Sequence, residues 1–178
     1  MRLGILSDTH NETARMREAI TALRDRGAGY VIHCGDIGSP DMLDLFHIVP
    51  GQHAAGFVFG NDDVGKGDSL RRRAKELGVD CFEFFKEFTM AGKTFAVLHG
   101  DDEHRLNEVV NRGGHDFVLH GHLHCWRDER VEEGAMKGVR IINPGSLHDP
   151  RENADGVREK TCAILDVESG RLEKIVLS

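Results

Sequence analysis

The sequence predicts an α/β domain in which mixed sheets are layered against helices. Three observations carry this. The first half alternates short apolar runs with amphipathic stretches in the order βαβαβα. The second half is rich in paired apolar runs joined by turn residues. At 178 residues and 39% apolar content, the chain is long enough for one domain with a sizeable core.

Taken in order, Arg2–Leu6 reads as the first strand. Asn11 is placed to cap a helix over residues 12–26, with Ala14, Ala19, Ile20 and Leu23 on one face and Gly27 and Gly29 at its end. Tyr30–His33 is the next strand. Ser39-Pro40-Asp41 opens a second helix, with proline at its first position and an acid in its first turn. It runs to Ile48 and is closed by Pro50-Gly51. A third strand covers residues 54–59, and the glycine-rich VGKGD leads into a helix over residues 69–77. From Asp80 the pattern changes: CFEFF and KEFTM, a turn at Ala91-Gly92, then KTFAVLH predict a hairpin. A helix over residues 102–112 and a strand over 117–120 come next. Residues 127–132 with 138–142, and 161–167 with 171–177, form two more hairpins. The first strands should be joined by right-handed crossovers.

Composition excludes several function classes. With 23 basic against 30 acidic side chains, the formal net charge is −7. Nucleic-acid and anionic-membrane binders need a basic surface, so neither is expected as a partner. No apolar run approaches the roughly 18–20 residues of a membrane span, and the start, MRLGILSDTH, has too short an apolar stretch for a signal peptide. The expected location is the cytoplasm. Four scattered cysteines without a CxxC pair predict neither a disulfide framework nor a thiolate zinc site.

Histidine is the unusual residue, with 11 copies, several of them clustered. The residues at the end of each apolar run are more telling. After RLGIL comes SDTH; after YVIH, CGD; after FVFG, NDD; after FAVL, HG; after FVLH, GHLH. Five strands thus end in Asp, Asn or His, four with glycine alongside. In open α/β sheets ligands bind beyond the carboxyl ends of strands, so these side chains should converge on one edge. Oxygen and imidazole without thiolate suit Mn, Fe, Zn, Ni or Co better than a purely oxygen-liganded Ca²⁺. A cation pair about 3.5–4 Å apart is a common device for attacking phosphate esters.

In these motifs the sequence resembles the calcineurin-like metallophosphoesterases, especially their small bacterial and archaeal phosphodiesterase branch. The family's motifs stand in order: Asp8-x-His10, Gly35-Asp36, Gly60-Asn61, His99-Gly100 and Gly121-His122-x-His124, with a later NPGS (residues 143–146) and Pro150-Arg151. The resemblance implies an αββα sandwich. It implies that Asp8, His10 and His124 hold one divalent metal, that Asn61, His99 and His122 hold a second, and that Asp36 bridges them. Manganese is the first expectation for both. It further implies in-line attack on phosphorus by a hydroxide held between the metals, with His122 and its neighbours stabilising phosphoryl charge. The substrate would be a small phosphate ester, and similar small members form dimers or tetramers.

One departure stands out. Many members carry histidine directly after the motif asparagine, where it can protonate the leaving oxygen; here that residue is Asp62. An ionised carboxylate repels a dianionic monoester, which favours diesters, although a raised pKa would make Asp62 a candidate proton donor. Asn61 and Arg151 are candidate phosphate contacts. His120 is expected to be structural or to support the site from behind, and His33, His47, His53, His104, His115 and His148 to be structural or on the surface. Cys34 and Cys125 read as buried packing residues, Arg71–Arg73 as a solvated helix face, and Asn143 and Ser146 equally as plain turn residues or as residues that steady the site. Phe82, Phe84, Phe85, Phe88 and Phe95 read as core, with some able to form an oligomer face. Two rival readings are a non-catalytic binding scaffold on the same fold, disfavoured because all seven ligand positions are filled, and a nuclease, disfavoured by the acidic balance and short chain.

Overall fold

Alternation of apolar side chains along the strands sorts the chain into four layers. The computed structural model describes residues 1–49, 51, 54–134 and 137–178; Pro50 and His53, both singled out in the sequence, lie outside the described residues. The first sheet contains β1 (Arg2–Leu6), β2 (Tyr30–His33), β3 (Ala55–Phe57), β4 (Asp80–Cys81), β10 (Thr161–Asp166) and β11 (Arg171–Val176), in the order β11-β10-β1-β2-β3-β4. The second contains β5 (Phe85–Met90), β6 (Lys93–Leu98), β7 (Phe117–Leu119), β8 (Trp126–Arg130) and β9 (Arg140–Pro144), in the order β5-β6-β7-β9-β8. Both are mixed: β1 to β4 run parallel in turn, as do β6, β7 and β9, while β10, β11, β5 and β8 pair antiparallel.

Because successive strand side chains point to opposite faces, Leu3, Ile5 and Ile32 meet Phe95, Val97, Phe117, Leu119 and Ile142 between the two sheets. Their neighbours face outward. Leu6 and Val31 pack under α1 (Thr13–Asp25), α2 (Gly67–Leu77) and a 3₁₀ segment, Pro40–His47. Ala96, Leu98 and Val118 pack against Val109 of α3 (Glu103–Arg112). The result is helix, sheet, sheet, helix, the αββα arrangement expected. No described helix is long and apolar enough to cross a membrane.

Several local expectations are corrected. Asn11 does not cap α1; Glu12 takes that position without a side-chain bond, while Asn11 Oδ1 accepts the Ser39 amide at 2.7 Å. Ala14 is exposed, and Met16 joins Ala19, Ile20 and Leu23 on the buried face. The helix after Ser39 is 3₁₀ rather than α. Asp80–Cys81 is not part of the following hairpin but a parallel edge strand beside β3; two residues are too few to show a period. Asp102 caps α3, its carboxylate accepting the Arg105 amide at 3.0 Å.

Candidate metal centre

The loops leaving β1, β2 and β3 in one sheet and β6 and β7 in the other are laced together by hydrogen bonds. Amides of Thr9 and His10 donate to the Asp36 carbonyl at 2.9 and 3.0 Å, and that of Asp8 to the Gly35 carbonyl at 3.0 Å. Across the sheets, Gly121 N–H donates to the His99 carbonyl at 2.8 Å and His122 N–H to Asp8 Oδ2 at 3.1 Å. The turns are tight. Asp8, His10, Asp36, His122 and His124 all have φ between 43° and 67°, a left-handed region that costs a non-glycine residue about 1–3 kcal/mol. Gly60 and Gly121 are required by close approach: a Cβ there would lie 2.1 Å from Asp36 Oδ1 and 1.9 Å from Ser7 Oγ respectively.

These turns bring the predicted side chains together. His124 Nε2 lies 3.3 Å from Asp8 Oδ1 and 3.4 Å from His10 Nε2. His99 Nε2 lies 3.3 Å from Asp36 Oδ2 and 3.9 Å from Asp8 Oδ1. Asp36 Oδ2 also lies 3.6 Å from His10 Nε2. Asp8, His10 and His124 form one set of converging ligand atoms, Asp8, Asp36 and His99 a second, and His10, Asp36 and Asp62 a third. His122 is outside these sets among the described residues, its ring standing edge-on to that of His99 at 5.2 Å. Asn61 is exposed and donates its amide to Asp62 Oδ1 at 3.0 Å. Asp62 Oδ2 meets His10 Nδ1 at 3.0 Å. Arg151 donates its amide to the His124 carbonyl at 2.8 Å, and its charge opposes protonation of His124.

The donors are prepared for cations. Asp8 Oδ1 and His99 Nε2 are buried without a hydrogen-bond partner, a costly state unless something charged joins them. His99 Nδ1 is held by the Cys34 carbonyl and His124 Nδ1 by that of Asp149, both at 2.8 Å, which leaves each Nε2 to ligate. Electrostatics agree. Burial works against a charge on His99, yet the Asp36 and Asp8 carboxylates outweigh it and push the imidazole up to about 9. Burial works against Asp36 too, but His99 and the Asp62 amide hold its carboxyl below the usual range. Asp8 raises His124. The protein has gathered negative charge where positive charge belongs, and the donor set fits divalent metals.

Sequence reasoning missed some of the support. Asp63 is fully buried; its carboxylate accepts amides of Ile37 (3.1 and 3.2 Å), Gly38 (3.1 Å) and Gly60 (3.0 Å), which ties the β2 loop to the β3 loop. Only its place beside the conspicuous Asp62 hinted at a role. His33, buried and held by burial at about 3, stays neutral: Nδ1 accepts the Gly35 amide at 3.1 Å and Nε2 meets Thr9 Oγ1 at 2.5 Å. His148, expected to be structural or on the surface, sets its ring 5.2 Å from that of His10, tilted by 52°. Other flanking expectations divide: Cys125 is half-buried rather than the buried packing residue expected, and of the five phenylalanines read as core Phe95 alone is buried. His120 is buried, with Nδ1 3.1 Å from the Gly121 carbonyl. Asn143 donates to the same carbonyl at 2.7 Å, and the Ser146 hydroxyl donates to the Asp8 carbonyl at 3.1 Å. Cys34 is buried, while Arg71 and Arg73 pair with acids at the surface.

Comparison with known proteins agrees with this geometry. The calcineurin-like phosphoesterase superfamily domain matches residues 1–170. The phosphodiesterase MJ0936 of Methanocaldococcus jannaschii is 31% identical over 178 residues, 99% of each chain. A probable metallophosphoesterase of Mycoplasma pneumoniae is 27% identical over 157 residues, covering 83% of this chain and 79% of that one. Among solved structures, an archaeal phosphodiesterase superposes with a TM-score of 0.82 at 29% identity, over 99% of this chain and all of the other. At 16% identity the Escherichia coli phosphoesterase Yfce shares the fold, with a TM-score of 0.66 over the full length of both chains. Matched over nearly its whole length, the chain belongs to the calcineurin-like phosphoesterase superfamily and is, by that membership, a phosphoric-ester hydrolase.

Proposed function

We propose that this chain, folded as one domain over its 178 residues, is a dinuclear metal-dependent phosphodiesterase of the cytoplasm. Asp8, His10 and His124 would hold one divalent cation, Asn61, His99 and His122 the other, and Asp36 both. Manganese is the first candidate. Bound there, such cations supply Lewis acidity toward water and phosphoryl oxygens. The observation that carries the reading is the reach of Asp36: one oxygen lies within 3.6 Å of His10 and 3.3 Å of His99, ligands assigned to different cations.

The chain's own groups account for the rest. His122 stands beside His99 at the rim, where an imidazole can donate to a phosphoryl oxygen. Asn61, bonded to Asp62, and Arg151, whose amide is tied to the His124 carbonyl, are the residues that would orient the phosphate. Asp62 is placed to hold His10: its carboxylate at 3.0 Å from Nδ1 fixes the ring with Nε2 inward. We therefore read Asp62 as a positioning residue before a proton donor. Its charge at the mouth disfavours a dianionic monoester more than a monoanionic diester, and the similarity to a phosphodiesterase supports the same preference.

A panel of mono- and diesters, including cyclic nucleotides, assayed with several divalent cations tests the proposal. The expected result is metal-dependent turnover of bis-nitrophenyl phosphate exceeding that of nitrophenyl phosphate. Faster monoester turnover with Mn²⁺ would overturn the diester preference.

A further inference from the structure

Five phenylalanines cluster between residues 82 and 95, and their fates differ. Phe95 is buried and stacks between Phe88 and Phe117, each at 4.9 Å. Phe84 does the opposite: it remains 46% exposed, against the tendency of large apolar side chains to bury. It is also held there. Glu83, directly before it, adopts φ 57°, a strained conformation outside the ligand loops. The Glu83 carbonyl accepts the Phe59 amide, and its carboxylate takes Arg71 Nε at 2.9 Å. A backbone fixed in this way keeps the Phe84 ring at the surface, edge-on to Phe59 with centroids 5.6 Å apart.

Beside these rings lies a recess of about 180 Å³ bounded by Phe59, Phe84, Leu98, His99, Asp101 and Arg105. Its lining therefore joins a proposed metal ligand, His99, to the exposed ring of Phe84. The guanidinium of Arg105, which also lines the recess, rests over the Phe85 ring, 5.0 Å from the centroid. A phosphate held at the metal centre would carry one ester arm along this wall. An alkyl arm gains little there, whereas a planar ring can stack on Phe84.

We propose that this recess is a subsite for a planar aryl ring on one ester arm, which makes aryl phosphodiesters the substrate class and Phe84 its specificity-determining residue. The inference rests on the phosphodiesterase reading above. The test is calorimetric titration of the Mn²⁺-loaded chain with phenylphosphonate and methylphosphonate, for the wild type, Phe84→Ala and Phe84→Trp, with bis-nitrophenyl phosphate turnover measured in parallel. Wild type should bind the phenyl compound about tenfold more tightly than the methyl compound. The ratio should fall to within about twofold in Phe84→Ala and be kept in Phe84→Trp. An unchanged ratio in Phe84→Ala, no preference in the wild type, or binding of neither phosphonate would overturn it. Because binding is read directly, the two readings fail separately. Turnover with an unchanged ratio sinks the subsite alone, and a Phe84-dependent ratio without diester turnover sinks the phosphodiesterase reading alone.

Discussion

Asp62 shows how one side chain can set the character of a site. It stands at the mouth, half exposed, with one oxygen on His10 and the other accepting from Asn61. Replacing it with histidine removes a negative charge facing the incoming phosphate. At about 4 Å a unit charge pair is worth roughly 1 kcal/mol in water and more in a shielded site, so Asp62→His should raise the monoester-to-diester ratio of kcat/KM about five- to tenfold. An unchanged ratio would mean that position 62 does not face the substrate. At this scale much of the site was legible. Asp8, His10, Asp36, His99 and His124 were readable because each follows an apolar run, and the strands deliver them to one rim. Asp63, His33 and His148 were not, because their roles come from contacts across loops: Asp63 binds amides 25 and 26 residues away, and His148 reaches His10 from a distant turn. Neither relation leaves a local pattern.

At the scale of elements, the site is a set of strained turns clamped by buried polar groups. Asp63 is the clearest clamp. Burial raises its carboxyl pKa while the Gly60, Gly38 and Ile37 amides oppose that rise. Asp63→Ala would orphan these donors, and such losses cost about 1–3 kcal/mol each when water cannot replace the partner. We expect a loss of about 3 kcal/mol, or roughly 6–12 °C in Tm for a chain of this size, with Asp63→Asn keeping part of it. A melting temperature for Asp63→Ala indistinguishable from that of the wild type would contradict the clamp. The parallel strands were legible from continuous apolar runs, and the hairpins from Ala91-Gly92 and Ser169-Gly170. Periodicity could not show that Pro40–His47 winds as a 3₁₀ segment or that Asn11 serves the Ser39 amide instead of its own helix. Tertiary contacts decide both.

Across the whole molecule the buried histidines make stability depend on pH in two opposed ways. Burial lowers His33 to about 3 and His120 to about 4. Below the ordinary histidine value near 6.5 the unfolded chain takes up protons that these native rings refuse. Their contribution is thus present above about 6.5 and lost as pH falls toward about 3–4. His99, raised to about 9, behaves in reverse: without metal its contribution is full below about 6.5 and fades as pH rises through about 9. Metal-free protein should therefore show urea midpoints that fall on both sides of about pH 6.5. Metal should abolish the alkaline decline, since ligation requires neutral His99. An alkaline decline of equal slope with Mn²⁺ bound would contradict the assignment of His99.

Asp36 is the group on which two cations would depend at once, and metal stoichiometry tests that most directly. Loaded with Mn²⁺ and freed of excess, the wild-type chain should retain two ions, whereas Asp36→Ala should retain almost none and lose diester turnover. One ion or fewer in the wild type, or two ions and full turnover in Asp36→Ala, would contradict it.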